Sequence, residues 1–101
     1  MLTIATEHAG EAADTLRRAA LLDDPYLRAD AIWEAVLRVE SAAHHLRGRA
    51  ASRCTDIARH LEEGCEKGAE PPVGDTLREY ANILEEECPG RERRRGGTTL
   101  A

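Results

Sequence analysis

The chain has 101 residues, of which 42% are hydrophobic, 33% are charged and only 3% are aromatic, with no Phe. A chain of this length builds one modest core, and a core drawn from Ala, Leu, Ile and Val favours helices over sheets. The formal net charge is −5 although residues 91–95 carry four Arg and one Glu, so the rest of the chain stands at −8 and nucleic acid is disfavoured as the main ligand.

The lack of recognisable targeting segments and the cysteine usage predict a cytoplasmic protein. The sequence has no apolar run approaching the roughly 20 residues that span a bilayer, and its N-terminus lacks the basic and apolar regions of a signal peptide. Cys54, Cys65 and Cys88 form no CxxC pair and leave one thiol unpaired in any disulfide scheme, which suits a reducing compartment. We interpret them as small core residues, and we predict no metal, no cofactor and no membrane contact.

The first two helices are indicated by apolar spacing and by a cap. Apolar residues recur at helical spacing within residues 3–22, which predicts a first amphipathic helix. Its face comprises Ala5, Ala9, Ala12, Ala13, Leu16 and Ala20. Asp24 precedes Pro25, and this pair predicts the start of a long second helix, because an aspartate caps free amides and a proline at the first position gives up no hydrogen bond.

The apolar pattern of the second helix runs on into a third. The buried face of the second helix is predicted to comprise Leu27, Ala31, Ile32, Ala35, Val36, Val39, Ala43 and Leu46. The same spacing continues through Ala50, Cys54, Ile57, Ala58, Leu61 and Cys65. A single helix of about 40 residues would be about 60 Å long, which exceeds the width of a compact domain of this size. We therefore predict a break within residues 48–55, with Ser52 or Thr55 as the cap of the third helix.

Prolines and glycines delimit the last helix. The third helix is predicted to end near Lys67 and Gly68, before a loop over residues 68–75. Asp75 is the predicted cap of a fourth helix that Pro89 and Gly90 terminate. Its apolar side comprises Leu77, Tyr80, Ala81, Leu84 and Cys88. The expected fold is all-α: an antiparallel four-helix bundle over residues 1–90 with a long second helix, followed by a disordered basic tail over residues 91–101.

One segment combines residues suited to phosphoryl chemistry. It reads Ala43-His44-His45-Leu46-Arg47-Gly48. On a continuous helix, His44 and Gly48 would lie about 160° from the buried direction and Arg47 about 100° from it. An exposed imidazole is a nucleophile, a nearby cation stabilises phosphoryl oxygens, and a glycine leaves the surface open.

The segment resembles histidine-phosphotransfer (HPt) domains, which are four-helix bundles whose second helix carries A-H-x-L-K-G. It is also similar to the N-terminal phosphotransfer domain of chemotaxis histidine kinases. The resemblance covers about residues 42–63, with Arg47 in place of the family's lysine and Cys54 in place of its usual second glycine. It implies that His44 accepts a phosphoryl group from a response-regulator receiver domain or a histidine kinase and passes it on, as a carrier rather than an enzyme.

A partner surface is predicted beside His44. Trp33, Leu37 and Ser41 fall on the same helical stripe, whereas His45 turns toward the flank of the bundle. Exposed apolar residues beside a histidine suggest a docking face, unless another helix covers them. The alternative function is therefore a noncatalytic helical adaptor or regulatory bundle that binds a protein partner, and the oligomeric state is left open.

A helical ribonuclease of the HEPN type is a further alternative. The active site of that family looks like an arginine and a later histidine with four to six residues between them. Arg38 and His44 fit this spacing with five residues between them, and Arg53 and His60 fit it with six. Two matches in one Arg-rich chain show that the pattern discriminates poorly.

Overall fold

The architecture is described here from a computed structural model that covers residues 2–66 and 71–88. It contains four helices, and the described residues include no strand. They are α1 (Leu2–Ala19), α2 (Pro25–His44), α3 (Gly48–Gly64) and α4 (Gly74–Glu87). The prediction of an all-α four-helix fold with a long second helix is confirmed. None of these helices is long and apolar enough to cross a membrane.

Helix α1 occupies the centre of the packing. It packs against both α2 and α4, α2 also packs against α3, and α3 touches α4 at few points. The direction of the last pair follows from two side-chain contacts: Arg53 Nε lies 3.4 Å from a Glu87 carboxylate oxygen, and His60 Nδ1 lies 3.4 Å from the Tyr80 hydroxyl. Later positions in α3 meet earlier positions in α4, so these helices run antiparallel, as the short connections predict.

The core is built largely from alanine. The whole predicted face of α1 is fully buried except Ala20, which packs against the edge of the core, and Ala19 is buried as well. The prediction that Leu27 belongs to the buried face of α2 is wrong, because 54% of its surface is exposed. Leu27 lies about 120° from the direction that Ile32 and Val39 share. Ala42 is fully buried in that face, although the sequence pattern left it out.

The break between α2 and α3 lies earlier than predicted. Residues 45–47 connect the helices, and α3 already begins at Gly48. Ser52 and Thr55 therefore lie inside α3 and cap nothing, while Arg47 occupies the cap position without a side-chain hydrogen bond. Gly48 has a φ of +61°, a left-handed conformation that strains any residue with a β-carbon. The chain therefore turns at Gly48.

The start of α4 also departs from prediction. Val73 is the cap residue of α4, and Asp75 lies in the first turn, where its carboxylate accepts a 2.6 Å hydrogen bond from Arg78. The predicted apolar side is confirmed: Leu77, Ala81, Leu84 and Cys88 are buried, and Tyr80 packs against them.

The ends of α3 and α4 are only partly covered by the structure. Helix α3 ends at Gly64, a few residues before the predicted end. Position 64 requires a glycine, because a β-carbon there would lie 2.8 Å from Cδ of Pro72. Lys67, Gly68, Pro89, Gly90 and the predicted tail of residues 91–101 lie outside the described residues.

The two aspartates that were both expected to cap a helix provide a matched test. Asp24 Oδ1 accepts hydrogen bonds from the backbone N–H groups of Tyr26 (2.8 Å) and Leu27 (3.4 Å). Asp24→Ala should therefore lower the free energy of unfolding by about 1 kcal/mol, measured by urea denaturation. Asp75→Ala removes only an exposed contact and should cost at most about 0.5 kcal/mol. Equal losses in the two variants would contradict this assignment.

The thiol of Cys54 should react slowly with thiol reagents in the native state. Burial, with smaller contributions from Cys88 and Glu87, raises the pKa of the Cys54 thiol from 9.0 to about 12. In a Cys65→Ser, Cys88→Ala background at pH 8, Cys54 should react with an aromatic disulfide reagent about 10³-fold more slowly than in the urea-unfolded chain, because only the thiolate attacks. Rapid native labelling would show that the α3–α4 side of the core is open to solvent.

Candidate functional site

His44 is the last residue of α2. The helix closes with a tight turn in which the N–H of His45 donates to the carbonyl of Ala42 (3.0 Å) and the N–H of Leu46 donates to that of Ala43 (3.2 Å). The His44 side chain is exposed, as is that of Arg47. The histidine is thus accessible, at the end of a helix rather than in its middle.

The expected arrangement of His44, Arg47 and Gly48 on one helix face is wrong. Helix α2 ends at His44, so Arg47 is the cap residue of α3 and Gly48 is the first residue of that helix. The geometry instead places the C-terminal end of α2 and the N-terminal end of α3 three residues apart. The first amides of α3 have no partner within the helix, and no side chain caps them, so this end presents free N–H donors.

Two open clefts meet at His44. The α2/α3 cleft, of about 400 Å³, is lined by Glu40, Ala43, His44, Thr55 and Ala58. The α1/α2 cleft, of about 390 Å³, is lined by His8, Leu37, Glu40, Ser41, His44 and His45. His44 and Glu40, one helical turn apart, border both clefts. The imidazole can therefore be approached from either side of α2.

Three imidazoles form a row across the end of α2. The ring of His45 lies edge-on to that of His44, with centroids 5.8 Å apart, and stacks on that of His8 in α1, with centroids 6.1 Å apart. His8 was not singled out from the sequence, because its approach to His45 depends on how α1 packs against α2. Although three histidines are close together, the described residues include no group of three His, Cys, Asp or Glu side chains placed to hold a metal ion.

The predicted docking residues lie on the outer side of α2. Trp33 and Leu37 are exposed, by 42% and 63% respectively, so no described helix covers them. Ser41 is half-buried and lines the α1/α2 cleft together with Leu37. The stripe that runs from Trp33 to His44 is thus partly apolar and open to solvent. The stripe does not continue to Gly48, because α2 ends at His44.

Both arginines of the ribonuclease-like spacing are engaged in ion pairs. Arg38 lies 3.2 Å from a carboxylate oxygen of Glu11 in α1, and Arg53 pairs with Glu87 in α4. His60 lies within hydrogen-bond distance of the Tyr80 hydroxyl. These contacts link neighbouring helices. Each of the two arginines therefore has a structural role that requires no substrate.

The chain was compared with protein-family models, with curated proteins and with solved structures, and none of the three comparisons found a match.

Proposed function

We propose that the protein is a phosphocarrier of a two-component phosphorelay, with His44 as the phosphoacceptor. The observation that supports this proposal best is the position of His44: an exposed imidazole bordered by two clefts, beside an uncapped helix N-terminus. The partner is a response-regulator receiver domain or a histidine kinase, as the resemblance to HPt domains implies.

The transfer needs only a neutral imidazole and an activated phosphoryl donor. The unprotonated ring nitrogen of His44 attacks the phosphorus of a receiver's aspartyl phosphate. The new N–P bond forms as the P–O bond breaks, and the bonding electrons leave with the aspartate carboxylate. The reverse step returns the phosphoryl group to a second receiver. No oxidant or cofactor enters this balance, so the chain acts as a carrier between two receivers.

Charges near His44 act on the phosphoryl group in opposite directions. Arg47, three residues after His44 in the chain, and the free amides at the start of α3 would stabilise an anion. The carboxylate of Glu40 and the negative C-terminal end of α2 destabilise one. A phosphohistidine held between these influences keeps a high transfer potential, which suits a carrier that has to pass the group on.

The phosphorylation test compares two neighbouring histidines. Incubation with receivers charged by acetyl phosphate should produce an acid-labile phosphohistidine on the intact chain. His44→Gln should abolish the label, whereas His45→Gln and the distant His60→Gln should retain it. Arg47→Ala should still bind a receiver but transfer roughly 10- to 100-fold more slowly, because it removes a charge that stabilises the moving phosphoryl group.

Two results would contradict the phosphocarrier proposal. Absence of label from every charged receiver would remove it altogether. Equal labelling of the His44→Gln variant and the wild type would move the acceptor to another residue and would leave no role for the cleft geometry at the end of α2.

A second candidate, a noncatalytic module that binds a protein partner, is favoured by the exposure of Trp33 and Leu37. Trp33 is the sole tryptophan of the chain, so its fluorescence reports on this surface directly. Acrylamide should quench native Trp33 clearly, though less efficiently than it quenches the urea-unfolded chain because 42% of the residue is exposed, and the efficiency should not change with protein concentration. Inaccessibility of Trp33 at every concentration would mean that the surface is covered within one chain.

A further inference from the structure

The outer surface of α1 and α2 combines apolar residues with acidic ones. Ile4 on α1 and Trp33 and Leu37 on α2 are exposed large hydrophobic residues. The α1/α2 cleft is continued by a smaller cleft that Ile4, Glu7, His8 and Glu11 line, since His8 borders both. We call these two adjoining clefts the groove: residues of both helices line the larger cleft, and residues of α1 alone line the smaller one.

The charge of this groove has one sign. No Lys or Arg lines either cleft, and Arg38, which follows Leu37 on α2, is paired with Glu11. Glu7 and Glu40 line the groove, and exposed Glu34 follows Trp33 on α2. None of these three carboxylates forms an ion pair with the residues that the structure describes. They form an acidic lip around the apolar residues.

We propose that this groove binds a cationic amphipathic helix of a partner protein. An amphipathic helix fits a groove between two packed helices, with its apolar residues facing inward and its cations facing the lip. The stripe from Trp33 to His44 is about 16 Å long, which matches three helical turns of a partner. This inference rests on the second, partner-binding candidate and is independent of phosphoryl transfer.

The charges favour such a partner over a second copy of this chain. A symmetric dimer would place the same patch of both copies face to face, and Glu34 and Glu40 would then meet like charges. Anionic lipid surfaces and nucleic acids would meet the same repulsion. A helix that carries Lys or Arg beside Leu or Ile complements both properties of the groove.

The test uses the full chain and designed peptides, with Trp33 as the reporter. A Leu/Lys peptide of about 18 residues, with leucine at helical spacing, should shift the Trp33 emission to shorter wavelength on saturation. The same leucine pattern with Glu in place of Lys should give no shift. Binding should weaken at high salt, because exposed charges are screened.

Matched variants locate the binding to the groove. Glu34→Gln with Glu40→Gln should weaken Leu/Lys binding about fivefold or more, and Leu37→Ser should weaken it as well. Glu79→Gln with Glu86→Gln removes two exposed carboxylates from α4, and Leu21→Ser removes an exposed leucine elsewhere; both should bind like the wild type. A chain that takes no label from any receiver can still bind the Leu/Lys peptide, and this outcome separates the inference from the phosphocarrier proposal.

Several results would overturn the inference. Equal loss in the α4 variant would indicate nonspecific attraction to an acidic body. Binding of the Glu peptide would remove the charge argument. Failure of both peptides to bind, with Trp33 still open to acrylamide, would reject the cationic helix but leave a partner surface of other chemistry. A blue shift that depends on protein concentration without peptide would assign the groove to a second copy.

Discussion

The alanine face of α1 is the feature on which the remaining packing depends. Six small or medium side chains, five of them alanine, are fully buried along this helix. They are Ala5, Ala9, Ala12, Ala13, Leu16 and Ala19. Short side chains let neighbouring backbones approach closely, and α1 thereby holds α2 on one side and α4 on the other. The arrangement of the candidate site follows, because α1 brings His8 to the end of α2.

The candidate site is a junction of two helix ends rather than one helix face. In the arrangement expected from the resemblance, the cation and the glycine follow the histidine along a continuous helix. Here the arginine is the cap residue of the next helix and the glycine is its first residue. In the proposed transfer, the free amides of α3 would take part of the role that a lysine would have. The same junction opens onto the acidic groove between α1 and α2. Phosphoryl transfer and binding of a cationic partner would thus use adjoining surfaces.

Local chemistry was predictable from the sequence, whereas the packing of one helix against another was not. The cap of Asp24 before Pro25 was recognised because it involves only neighbouring residues. The left-handed φ of Gly48 was missed, since the apolar pattern continues across it and a glycine alone does not reveal whether it turns the chain. The exposure of His44 followed from helical periodicity. The stacking of His8 on His45 did not, because the two residues lie far apart in the chain.

The sparse contact between α3 and α4 has a consequence for local opening of the fold. Each of these helices is anchored mainly by one neighbour, and their common seam is bridged by the contacts of Arg53 with Glu87 and of His60 with Tyr80. Separating α3 from α4 therefore breaks fewer contacts than separating α1 from α2, and local opening favours regions with few packing contacts. Arg47 lies in the connection between α2 and α3, so any movement of α3 against α2 would change the distance between this guanidinium and His44.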